Sequence, residues 1–107
     1  FDEYYLVNRA AGGDGVLCGL TNVVPELFVQ YHQAYENKDF ITTEICAKKI
    51  SKLMGLYDVT PLFVVAIKAA VKAQGLDIST CTRAPGLPIT EEQYKTVINI
   101  LAEGLST

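Results

Sequence analysis

The chain alternates between stretches with helical spacing of apolar residues and short punctuating runs of Gly, Pro, Asn and Asp. Asp2 to Ala11 reads as a helix with acidic residues in its first turn, where they complement the helix dipole. Gly12-Gly13-Asp14-Gly15 ends it. A glycine-rich run that follows a helix and precedes a strand has the reverse of phosphate-loop order, so it reads as a helix stop and turn. Val16-Leu17-Cys18-Gly19-Leu20 is a continuous apolar run of the kind that forms a strand buried on both faces. Its N–H and C=O groups would need neighbours, and no other segment here is a convincing strand.

Four more helices are predicted. Thr21-Asn22 caps the first, with Pro25 in its opening turn, and Val24, Leu27, Phe28, Tyr31, Ala34 and Tyr35 on one face. After a turn at Asn37-Lys38-Asp39 comes a helix whose apolar stripe is Ile41, Ile45, Ile50, Leu53 and Met54, with Gly55 as its stop. Thr60-Pro61 opens the next, and from Leu62 to Ala73 only Lys68 and Lys72 interrupt the apolar residues. A helix apolar on most sides is buried or lies in a subunit interface. A connector containing Pro85, Gly86 and Pro88 leads to a capping box, Thr90 with Gln93, and an Ile89–Tyr94 staple. Tyr94, Val97, Ile98 and Leu101 form the buried face of the last helix, and Gly104 is its expected stop.

Half of the residues are hydrophobic and a fifth are charged, the balance of a folded chain and not of a disordered one. A net charge of −3 with scattered basic residues argues against a nucleic-acid partner. No run approaches the roughly 18 apolar residues a membrane span needs, and Phe1-Asp2-Glu3 is no secretory signal. Cys18, Cys46 and Cys81 lack the spacing of a disulfide framework or a zinc site, so a reduced, cytoplasmic setting and no metal are expected. The missing initiator Met suggests that the gene product starts upstream.

A series of motifs is similar to the dihydrodipicolinate synthase/N-acetylneuraminate lyase family. Ala10-Ala11-Gly12-Gly13-Asp14-Gly15 resembles the family's A-x-G-[AG]-x-G, and Gly15-Val16-Leu17-Cys18-Gly19-Leu20-Thr21-Asn22-Val23 resembles its last barrel strand and turn. The Pro61-to-Gly75 helix, with Lys68, and the closing Arg83-Ala84-Pro85 and Pro88-Ile89-Thr90-Glu91-Glu92 follow in order. The resemblance implies an α/β fold: the C-terminal fragment of a (β/α)8 TIM barrel, with its last strand and helices, plus a C-terminal helical extension. On that reading residues 1–37 are the barrel end and 38–107 the extension, and residues 16–20 must be extended. It implies a pyruvate-dependent aldolase or lyase working through a lysine imine, with no cofactor, a pyruvate or 2-keto acid substrate, and a homo-oligomer, dimer or tetramer. The imine lysine and the proton-relaying tyrosine match no residue here. Lys48, Lys49, Lys52, Lys68 and Lys72 all lie in late helices, so no catalytic residue is assigned and the 107 residues alone are expected to be inactive.

The same resemblance marks Asp2, Glu3, Cys18 and Gly19 as substrate-binding. Asp2-Glu3 resembles a G-x-D-E sequence that accepts sugar-acid hydroxyls, the alternative being that both carboxylates only decorate a helix N-terminus. Gly19 falls where the N-acetylneuraminate lyase branch has a hydroxyl-binding serine, which puts sialic acid itself in doubt. A sugar-acid lyase is the first reading and dihydrodipicolinate synthase the second. From another class, the lone strand and the apolar Leu62–Ala73 helix leave open a non-enzymatic helical assembly module. Leu17 is expected in the core, Cys18 buried and inert, and His32 on the surface.

Overall fold

A computed structural model describes residues 1–106. A single 3-10 turn, Asp2–Tyr4, leads into α1 (Tyr5–Ala10). Then come α2 (Leu20–Val23), α3 (Pro25–Glu36), α4 (Phe40–Leu53), a 3-10 segment Met54–Asp58, α5 (Phe63–Ala73) and α6 (Glu91–Leu105).

The expected α/β architecture is overturned, because no β-strand exists among the described residues. The TIM-barrel-fragment reading falls with it. Residues 13–18 carry no regular structure, and Leu20 is the first residue of α2. Leu17, expected in the core, is fully exposed. The physical reason is the missing partner: an apolar run becomes a strand only beside another strand, and none is available here. Short apolar runs are also the least decisive pattern in a sequence.

The helices follow the pattern more closely, with instructive shifts. Pro25 does not sit inside a helix capped at Thr21; it starts a new one as its first residue. Val24, at φ −133° and ψ 61°, leaves the helical region, as a residue preceding proline tends to. The expected face of α3 is buried through Leu27, Phe28, Tyr31 and Ala34. In α4 the buried row is Cys46, Ile50 and Leu53, whereas Ile41 and Ile45 point to solvent. Asp39, the last residue of the predicted turn, caps this helix by accepting from the Thr42 N–H at 3.1 Å. Gly55 does not end the chain's helical course but lies within the following 3-10 segment.

Thr60 and Pro61 stand outside α5, whose N-cap is Leu62; the Thr60 hydroxyl donates to the Leu62 carbonyl instead. Val65, Ala66, Ile67, Ala69 and Ala70 are buried, as so apolar a helix requires. Gly75 adopts φ +107° and ends the element, a conformation that costs glycine little. The capping box is present in full: Thr90 accepts from the Gln93 N–H at 3.1 Å, and the Gln93 side chain accepts from the Thr90 N–H at 3.0 Å. Gly104 is not a stop. It lies inside α6, buried, where a Cβ would come within 2.6 Å of the Leu53 side chain. That close approach lets α6 settle on α4, and Val97 and Leu101 join Leu53, Leu56, Ile50 and Cys46 in one core.

Candidate functional site

The chain's first turn and the start of α2 are drawn together by one carboxylate. Asp2 is only 3% exposed although it stands next to the exposed Phe1. Its Oδ2 accepts from the Leu20 N–H at 2.9 Å and from the Tyr57 hydroxyl at 2.7 Å. The tyrosine oxygen in turn accepts from the Gly19 N–H at 3.1 Å. Two backbone donors at the start of a helix therefore find acceptors on side chains from distant segments, which is how an orphan helix N-terminus is satisfied. Burial, reinforced by the Asp2 carboxylate, holds the Tyr57 phenol well above its usual range, so it stays a protonated donor.

Of the four residues marked as substrate-binding, three meet here. Asp2 and Gly19 are joined through Tyr57. Cys18 adjoins them: its carbonyl accepts from the Thr21 hydroxyl at 2.6 Å. Its half-buried thiol is pushed up, first by burial and secondarily by the Asp2 charge, so it is a poor nucleophile. Glu3 is half-buried on the same turn and stays outside the network. Gly19 also lines a cleft of about 460 Å³ together with Asn22, Phe63, Ile67 and Lys68. Lys68 donates from Nζ to the Cys81 carbonyl at 2.7 Å. Among the described residues no group of three or more His, Cys, Asp or Glu could hold a metal ion, and no helix is long and apolar enough to cross a membrane. The three cysteines are free.

Tyr57 went unmarked in the sequence. It follows an apolar helix in Gly55-Leu56-Tyr57 and carries no motif, so only the tertiary fold reveals its role. The same holds for a second polar cluster. Arg9 of α1 pairs with Glu36 of α3, donates to the Tyr5 hydroxyl at 2.9 Å and to His32 Nδ1 at 2.6 Å, and lies over the Tyr35 ring at 4.8 Å. His32 is exposed as expected, yet partnered: arginine only donates, so Nδ1 must be the nitrogen with the free lone pair.

This cluster has a pH consequence. The Arg9 hydrogen bond and charge hold the Glu36 carboxyl below its usual range. A depressed carboxylate contributes stability that is fully present above its unfolded value of about 4.3 and is lost as pH falls through its lower folded value. Glu36→Gln should therefore flatten the acid limb of the stability curve below about pH 4.3, leaving its shape near neutrality unaltered. Urea midpoints recorded from pH 2.5 to 7 test this, and identical acid limbs for the two proteins would refute it.

The comparisons with known proteins bear on this arrangement. The profile of the dihydrodipicolinate synthetase family matches residues 1–104. The chain belongs to that family. It is 30% identical over 101 residues to an uncharacterised DapA-like lyase of Pyrococcus horikoshii, covering 94% of this chain and 35% of the relative. It is 31% identical over 104 residues to a DapA-like lyase of Thermococcus kodakarensis, covering 97% and 36% respectively. To a probable 2-dehydro-3-deoxy-D-pentonate aldolase of Escherichia coli it is 30% identical over 106 residues, covering 98% of this chain and 35% of that one. The chain thus spans about a third of the length of the curated relatives it matches. No solved structure matches it. The expectation that the family assignment would fall if residues 16–20 were not extended is overturned: the segment is not a strand, yet the family profile matches residues 1–104.

Proposed function

We propose that this chain forms part of a pyruvate-dependent aldolase or lyase that makes or breaks a C–C bond between pyruvate and an aldehyde, with a 3-deoxy-2-keto sugar acid as the joined compound. Asp2, Glu3, Cys18 and Gly19 make up the end of its site that faces the sugar hydroxyls. The observation that carries this reading is the convergence of the Asp2 carboxylate with position 19 through Tyr57. The family match and the name of the Escherichia coli relative support it. The reactive amine comes from a lysine outside these 107 residues, and the protein works as a homo-oligomer in the cytoplasm.

The amine condenses with the pyruvate ketone, releasing water and leaving an imine that draws electrons from the neighbouring carbon. The parent protein mixed with pyruvate and borohydride should accumulate a covalent adduct, since hydride adds to the imine carbon. Digestion should locate it outside residues 1–107. Failure to trap any adduct rejects the reading. Turnover of aspartate semialdehyde in preference to a sugar acid would move the protein to the synthase branch.

A further inference from the structure

The first turn of α4 carries a projection beside a hollow. Phe40 is 86% exposed and Ile41 74%, on a helix that buries Cys46, Ile50 and Leu53 elsewhere on its surface. Neither residue seals the core, and large apolar side chains standing together in water mark a contact surface more than scattered single ones do. Phe40 also forms one wall of a groove of about 660 Å³, whose other apolar walls are Leu6 of α1, Tyr35 of α3 and Ala47 of α4. A groove of that size has room for an aromatic side chain. Lys38 and Glu44 line it as well, one basic and one acidic. Lys38 has no ion-pair partner among the described residues. Glu44 has only Lys48, one turn along the same helix at 3.2 Å, with both side chains well exposed. Such a pair contributes little, so Glu44 can exchange it for another cation.

A second copy of the chain matches all four features. In a pair related by a two-fold axis, any contact from residue i to residue j is repeated from j to i. An axis passing close to Ile41 sets the Phe40 ring of each copy into the groove of the other. It also brings Lys38 of each copy to Glu44 of the other, because the two positions lie symmetrically about 41. The result is an apolar centre flanked by two equivalent ion pairs, the usual anatomy of a specific protein contact. We propose that this face is an isologous interface between two copies of the chain, anchored by Phe40 and oriented by reciprocal Lys38–Glu44 pairs. It rests on the aldolase reading only for the homo-oligomer, whose meeting surface it locates.

Sedimentation velocity on the parent protein tests it. Phe40, Lys38 and Glu44 are all exposed, so the fold of one chain does not depend on them. Phe40→Ala should raise the dissociation constant of the assembly at least about tenfold and give species of half the wild-type mass, with an unchanged circular dichroism spectrum. Lys38→Glu and Glu44→Lys, each alone, set like charges across the two-fold and should act in the same way. Mixed in equal amounts, these two variants should reassemble, because each supplies the charge that the other lacks. An ion pair confined to one chain cannot produce that recovery. A wild type with the mass of one chain overturns the proposal, as does a mixture that fails to reassemble. So does wild-type mass in Phe40→Ala or in the single charge variants, which would assign the groove to another segment of the parent or to a small molecule. Each of these outcomes leaves the borohydride-trapped pyruvate adduct in place, whereas its loss in the wild type strikes the aldolase reading and not this interface.

Discussion

Leu53→Ala should remove about 2–5 kcal/mol of stability, the range for truncating a fully buried leucine. Leu53 has no exposed surface and sits where α4 hands over to the 3-10 segment. It faces Gly104, whose lack of a side chain lets α6 press against it. The cavity left by the alanine would be walled by two helices held in place by their other contacts, so it cannot easily collapse. Against a total stability of about 5–15 kcal/mol for a typical domain, a loss of this size is a large fraction. Urea denaturation followed by circular dichroism measures it. Ile45→Ala on the same helix serves as the contrast: Ile45 is 44% exposed, and its truncation should stay within about 0.5 kcal/mol. A larger effect at Ile45 than at Leu53 would mean that α4 is rotated from the orientation described here.

The second large effect is expected at Asp2. Replacing it with alanine strands the Leu20 N–H, on a residue with no exposed surface, and the Tyr57 hydroxyl. Each donor left unsatisfied in a buried setting costs about 1–3 kcal/mol, so Asp2→Ala should lose at least about 2 kcal/mol. Asp2→Asn retains a carbonyl oxygen that can accept from both donors, and should recover more than half of the loss. The comparison separates hydrogen bonding from charge: similar losses in the two variants would show that the negative charge, and not the acceptor oxygen, holds the turn to α2. Because Asp2 is also proposed to face substrate, activity of the parent should fall in both variants, while stability should fall mainly in the alanine one.

Much of the helical architecture was legible because its signals are local. The Thr90–Gln93 box, the glycine stop at Gly75 and the apolar face of α3 each depend on residues within a turn or two of one another. The misreadings came where distant partners decide. The α4 stripe reads in the sequence as Ile41, Ile45, Ile50, Leu53 and Met54, whereas packing against α3 and α6 buries Cys46, Ile50 and Leu53 and leaves Ile41 and Ile45 outside. The Val16–Leu20 run is apolar enough for a strand, but a strand is defined by its neighbour, and none is present among the described residues. Gly104 looked like a helix end because glycine usually is one; here its function is close approach. Of the candidate site, Asp2 and Gly19 were visible only through the resemblance of their surroundings to a family. Tyr57, which connects them across the fold, had no signature at all.

The lodging of Gly104 against Leu53 also dictates an order of events during synthesis. Val97 and Leu101, both buried, belong to the last of the described helices, and the Leu53 pocket stays open until that helix arrives. A nascent chain lacking α6 would show the ribosome's surroundings an unsealed apolar groove along α4 and α5. Sealing of that groove waits until α6 has been made.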